Sequence, residues 1–127
     1  MYVDDIMPLT GVKVLLVEDE AFIAMAIIDK LIEAGAETVE HALSLQEAGE
    51  TLKQLSFDVA ILDLRLPDGS SDDLAVQLTD QGTPLVFHSG HAEIDMLKAK
   101  FPSAKICHKP CQHSEFVVAI RELLGSG

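Results

Sequence analysis

The spacing of hydrophobic positions changes period repeatedly along the chain. Val12–Val17 (VKVLLV) is apolar at all but one position and stops at Glu18-Asp19-Glu20, which reads as a buried strand. From Ala21 to Ala34 the residues Phe22, Ile23, Ala26, Ile27, Leu31 and Ala34 recur at three- and four-residue spacing, a helix that Gly35 closes. Glu37–Ala42 (ETVEHA) is a more polar strand suited to a sheet edge, and Leu43–Leu55 is a second helix through Leu45, Ala48, Leu52 and Leu55. Asp58–Asp63 (DVAILD) is a third strand with Val59, Ile61 and Leu62 toward the core; Pro67, Asp68 and Gly69 then turn the chain away.

The remaining pattern repeats the alternation. A helix is predicted from Ser71 to Thr79, with Ser70 or Ser71 as cap and Asp72 and Asp73 in its first turn. Pro84–His88 (PLVFH) is a fourth strand ending at Ser89-Gly90. Ala92–Lys100 is a short helix through Ile94, Met96 and Leu97, closed by Phe101-Pro102. Lys105–His108 is a fifth strand and Ser114–Leu124 the last helix. Five strand–helix alternations with short connections and right-handed crossovers make a parallel sheet covered on both faces. The expected fold is a flavodoxin-like (βα)5 three-layer sandwich of strand order 2-1-3-4-5. Residues 1–11 form a lead-in in which Met7 or Leu9 packs on the domain edge, residues 12–124 the domain, and 125–127 a short tail.

The chain has 127 residues, enough for one core, and 48% of them are hydrophobic, with five Phe, one Tyr and no Trp. The formal net charge of −12 disfavours nucleic acid and anionic membrane as partners, and suits a divalent cation or a basic protein surface. No apolar run approaches the length of a membrane span, and no signal-peptide pattern opens the chain. Two cysteines do not make a disulfide framework, so a reduced cytoplasmic setting is the simpler expectation.

Parallel strands bring their carboxyl ends to one rim, where open α/β sheets bind ligands. The first strand delivers Glu18 and Asp19, the third Asp63, the fourth Ser89 and the fifth Lys109. Three carboxylates together repel one another unless a cation sits among them, and Mg²⁺ is the hard ion that accepts such oxygens. Asp63 is then placed to act as a carboxylate nucleophile toward phosphorus. Mg²⁺ and the Lys109 ammonium would neutralise the transferring group, and the Ser89 hydroxyl would bond to one of its oxygens. The backbone carbonyl of Arg65, in the loop that turns back over the site, adds a metal ligand. Lys109 precedes Pro110 and is extended; a cis bond there would aim its amine back at the rim.

Other residues invite readings that the pattern does not support. Cys107, His108, Cys111 and His113 suggest zinc, but Cys107 and His108 are strand neighbours that point to opposite faces. They read instead as a core thiol and solvated histidines, and no redox role follows from the cysteine pair. His88 and His91 flank Ser89-Gly90; one of them, His91 above all, could tune phosphoryl lifetime by admitting or blocking water, but the simpler reading is a surface histidine beside an anionic site, and His41 has no assigned part.

Taken together, Glu18-Asp19 in LLVEDE, LDLRLPDG around Asp63, Ser89-Gly90 and Lys109-Pro110 resemble the receiver domain of two-component response regulators over residues 12–124. The resemblance implies that Asp63 takes a phosphoryl group from the phosphohistidine of a sensor histidine kinase or a phosphotransfer protein. It implies that Glu18, Asp19, Asp63 and the Arg65 carbonyl hold Mg²⁺, that Ser89 is the hydroxyl switch and that Lys109 contacts the phosphate. It also implies helix Ala21–Ala34 as the kinase surface, a downstream protein target, and a monomer or a weak phosphorylation-dependent dimer. The chain looks like a stand-alone receiver, similar to small receivers associated with HWE-type kinases, in which phosphorylation serves a switch or a phosphate sink.

One departure stands out. Ile106 lies three residues before the lysine, where the family commonly has Tyr or Phe, so the usual aromatic readout is in doubt. This favours one alternative, a phosphorylation-independent binding module on the same fold. A phosphatase-type hydrolase is the other, but the proton-donating acid it needs two residues after Asp63 is replaced by Arg65.

Overall fold

The computed structural model describes residues 7–125; residues 1–6 of the expected lead-in and 126–127 of the expected tail lie outside it. Five strands, β1 (Lys13–Val17), β2 (Thr38–Ala42), β3 (Val59–Asp63), β6 (Leu85–Ser89) and β7 (Lys105–His108), form one parallel sheet in the order β2-β1-β3-β6-β7. A hairpin of two short strands, β4 (Arg65–Leu66) and β5 (Gly69–Ser70), stands apart. The helices are α1 (Ala21–Glu33), α2 (Leu45–Gln54), α3 (Asp72–Asp80), α4 (Ile94–Lys100) and α5 (Ser114–Leu124), with a 3₁₀ turn at His91–Glu93 before α4. With the hairpin set aside, this is the flavodoxin-like order 2-1-3-4-5, and the more polar β2 lies at an edge.

The sheet separates two cores, and strand parity decides which residue enters which. Val14, Leu16, Val59, Ile61 and Val86 pack on one face with Ile27 and Leu31 of α1 and Phe116 and Ile120 of α5. Leu15, Val17, Ala60, Leu62 and Phe87 pack on the other with Leu74, Leu78, Leu97 and Phe101. Every residue of β3 is buried, including Ala60 and Asp63, because helices cover both faces. The same alternation, carried one step past the apolar runs, assigns the rim residues to faces. His88 follows Phe87 and joins the α1/α5 side, where its ring meets Phe116.

The structure corrects several local expectations. Phe22 is 87% exposed. It lies five residues before Ile27, about 140° around the helix from it, so the buried seam runs through Ala24, Ile27 and Leu31. Met96 of α4 is likewise exposed while Ile94 and Leu97 are buried. Of the two candidates before β1, Leu9 is buried and Met7 exposed. Leu43 lies outside α2, because Ser44 caps it by accepting from the Glu47 N–H at 3.1 Å while Glu47 accepts from the Leu43 N–H at 2.9 Å. Leu55, beyond the last turn, is exposed. Of the two serines before α3, Ser70 accepts from the Asp72 N–H at 3.3 Å, whereas Ser71 makes no cap bond and its hydroxyl instead donates to the Asp63 carbonyl at 2.9 Å.

The hairpin has an anchoring function. From its turn, the Asp68 carboxylate accepts from the Leu45 and Gln46 N–H groups at 3.0 Å each, tying the loop after Asp63 to the start of α2. The bond to Leu45 holds the Asp68 carboxyl below its usual pKa; exposed as the group is, little burial opposes it. A depressed folded pKa gives stability that is present at neutral pH and lost as the pH falls through that value. Asp68→Ala is therefore expected to lower the thermal midpoint at neutral pH and to lower it progressively less in acid. Equal midpoints at neutral pH would count against the anchor.

Candidate functional site

The acids meet where the strands end. After β1, the Glu18 N–H pairs with the Ala42 carbonyl at 3.0 Å, so Glu18 continues the sheet for one residue. Glu18 is 1% exposed and Asp63 6%, whereas Asp19 is exposed. Each of the three offers a carboxylate oxygen, and those oxygens all lie within 4.8 Å of one another. Among the described residues this is the one group of three or more potential metal-ligating side chains so arranged.

Lys109 reaches the group from the end of β7. Its Nζ donates to Asp63 Oδ2 at 3.0 Å, its backbone N–H donates to the Ser89 carbonyl at 2.9 Å, and its bond to Pro110 is cis. Ser89 ends β6 with its side chain 2% exposed and its Oγ without a protein partner. The Arg65 N–H makes a long contact of 3.4 Å with Asp63 Oδ1, while the Arg65 side chain turns outward to Glu93, Nε to Oε1 at 2.9 Å. Glu18, Asp19, Asp63 and Lys109 thus gather at one rim, and Ser89 is tied to it through its backbone bond to Lys109.

Their electrostatics differ. Burial pushes the Asp63 carboxyl up; Lys109 offsets this only in part and Glu18 adds repulsion, so the pKa lies above the usual aspartate value. Burial acts on Glu18 too, but the His88 ring, the Glu20 N–H and the Lys109 charge outweigh it and hold Glu18 low. The cluster therefore keeps one firmly ionised acid beside one that protonates more easily.

Two histidines depart from the sequence reading. His88 is 5% exposed, so it is no surface histidine, and its Nδ1 stands 3.6 Å from Glu18 Oε1. His41 bonds to the Glu18 carbonyl at 2.7 Å, and because a carbonyl only accepts, its Nε2 carries the proton. The alternation of β6 is a signal that places His88 inward; nothing in the sequence marks His41. His91 is exposed as expected and faces the His108 ring at 6.5 Å between centroids. Burial pushes the Cys107 thiol up to about 11 and the Cys111 thiol to about 12, which leaves both poor nucleophiles at neutral pH.

The unpartnered Ser89 hydroxyl has a measurable consequence. A buried hydroxyl without a partner costs free energy, so Ser89→Ala is expected to stabilise the protein by about 1 kcal/mol in urea unfolding. A loss of comparable size would show that the hydroxyl is satisfied.

With this geometry in view, the chain belongs to the response regulator receiver domain family, whose sequence pattern matches residues 14–121. It is similar to the chemotaxis protein CheY of Thermotoga maritima, 27% identical over 117 residues, covering 89% of this chain and 98% of that protein. It is 39% identical over 79 residues, 61% of this chain, to a protein-glutamate methylesterase/protein-glutamine glutaminase of Archaeoglobus fulgidus. The chain spans only 22% of that relative's length. The crystal structure of a response regulator receiver protein from Sinorhizobium medicae superposes with a TM-score of 0.77 at 29% identity, covering 90% of this chain and 94% of that one. No helix among the described residues is long and apolar enough to cross a membrane.

Proposed function

We propose that this protein is a Mg²⁺-dependent phosphoacceptor in two-component signalling, with Asp63 as the residue phosphorylated. The observation that carries this reading is the approach of Lys109 Nζ to Asp63 Oδ2 at 3.0 Å, beside an acidic cluster drawn from two other positions of the chain. The nucleophile and the cation that would offset its product's charge are already together.

The donor set suits the metal. Octahedral Mg²⁺ binds oxygens at about 2.0–2.1 Å, which puts neighbouring ligands about 3 Å apart and opposite ones about 4 Å apart. Oxygens gathered within 4.8 Å need only small adjustments to fit. Glu18, Asp19 and Asp63, with the Arg65 carbonyl, would hold the ion. When bound, it would supply positive charge to the phosphoryl oxygens.

The chain's own residues have separate parts. An Asp63 oxygen forms the new O–P bond as the P–N bond of a kinase or phosphotransfer phosphohistidine breaks, the imidazole nitrogen leaving with the electron pair. Lys109 neutralises the arriving charge. The buried Ser89 hydroxyl, which lacks a partner, donates to a phosphoryl oxygen and so couples its strand end to the modification. Ser71, bonded to the Asp63 carbonyl, steadies the backbone that presents the nucleophile.

The test is intact mass after incubation with Mg²⁺ and a small acyl or amido phosphate donor, then with a phosphorylated histidine kinase. One added phosphoryl group, lost with hydroxylamine, is expected. No uptake from either donor by protein that binds Mg²⁺ would overturn the reading. It would favour the binding module, which Ile106, aliphatic and packed against the Phe87 core, already supports. For that module, partner affinity would be indifferent to the state of Asp63.

A further inference from the structure

We propose that His88 is a positioning residue for the acidic site, holding the Glu18 carboxylate in place from behind. The inference rests on the phosphoacceptor reading, since the site it serves is the one assigned there to Mg²⁺. Strand parity turns the His88 side chain into the α1/α5 core instead of the solvent, in register with Asp63 on β3. Phe116, fully buried on α5, meets the imidazole edge-on, with 5.1 Å between ring centroids and 86° between planes. The ring is thus held by packing.

From that position Nδ1 looks at Glu18 Oε1 across 3.6 Å, and both atoms are buried with no other partner. The separation is a few tenths of an ångström too long for a hydrogen bond, so a small closure would satisfy both orphans at once. The rest of Glu18 is already fastened. Oε2 accepts from the Glu20 N–H at 3.1 Å, and the carbonyl accepts from His41 at 2.7 Å. Oε1 is the one Glu18 oxygen whose placement depends on His88.

Such placement matters because Mg²⁺ demands near-ideal geometry. Asp19 is exposed and Asp63 is pulled toward Lys109, so Glu18 is the acid best able to be set in advance. His88 lies outside the trio whose oxygens cluster, which makes it a support for a ligand and not itself a ligand. Partners of this kind commonly affect metal affinity by ten- to a hundredfold.

The experiment is Mg²⁺ titration by calorimetry, with the ¹⁵N resonances of the histidine rings followed in parallel, using wild type, His88→Leu, His88→Asn and His88→Gln. Leu keeps apolar bulk and is expected to weaken Mg²⁺ binding about tenfold. An Asn side chain places an amide near the Nδ1 position and is expected to retain most of the affinity, while Gln reaches toward Nε2 and is not. In wild type the His88 Nδ1 resonance should shift on Mg²⁺ addition, which a ring that merely fills the core would not do. If His88→Leu does not fold, the Asn and Gln variants decide the matter, and equal affinities overturn the proposal. Wild-type affinity in His88→Leu, with normal Asp63 phosphorylation, overturns the part given to His88 alone. Failure of the wild type to bind Mg²⁺ overturns the site reading beneath it.

Discussion

Asp63→Asn is expected to abolish phosphoryl uptake completely while leaving the protein at least as stable as the wild type at neutral pH. The loss follows from chemistry, because a carboxamide has no anionic oxygen to form the O–P bond. The stability follows from burial. Asp63 is 6% exposed, and its burial holds its pKa above the unfolded value despite Lys109. A raised folded pKa means that the folded state keeps the proton more tightly. Stability therefore falls as pH rises from the ordinary aspartate range through the folded pKa, and neutral pH lies on the costly side. An uncharged isostere avoids that cost. Lys109 loses its partner, but its side chain is 37% exposed and remains hydrated. Intact mass after donor treatment and a thermal melt check the two halves; normal labelling of the variant would remove Asp63 from its assigned place.

Magnesium itself should have the other large effect. An ion that binds only the folded state stabilises it by about 2.7 kcal/mol at a hundred times its dissociation constant, so Mg²⁺ is expected to raise the thermal midpoint clearly at neutral pH. Chelation should eliminate phosphoryl uptake. The stabilisation should fade on acidification, with Asp63 protonating before Glu18, since burial raises the pKa of Asp63 while that of Glu18 is lowered. The decline should therefore begin at a higher pH than an ordinary aspartate would give. Differential scanning calorimetry with and without Mg²⁺ across pH measures this directly. A Mg²⁺ effect that is constant through acid, or equally strong in Asp63→Asn, would mean that the ion binds elsewhere.

Asp63 was legible in the sequence because an apolar strand ends on it and turn residues follow at once. Glu18 and Asp19 were legible for the same reason, while Ser89 and Lys109, which each follow a histidine, were placed by the ends of their strands. Phe22 misled, since spacing alone admits it to the helix seam and only the packing of Ile27 and Leu31 fixes the buried angle. Ser71 also misled. A serine before a helix normally caps it, but here the Asp63 carbonyl is nearer to hand. The Asp68 anchor was invisible because it joins a turn to a helix start 22 and 23 residues earlier.

Periodicity by itself determined the alternation of strand and helix, the parallel sheet, and which residues end each strand. Those are local properties, set by backbone geometry and by the need to bury one face of every element. Tertiary structure alone decided the contacts between ends that are distant in sequence. Lys109 meets Asp63 across 46 residues, His41 bonds to Glu18 across 23, and His88 turns inward between Glu18 and Phe116. A histidine beside a strand end has the same local pattern whether it is hydrated or buried against a carboxylate; only the packing of β1, β6 and α5 distinguishes the two.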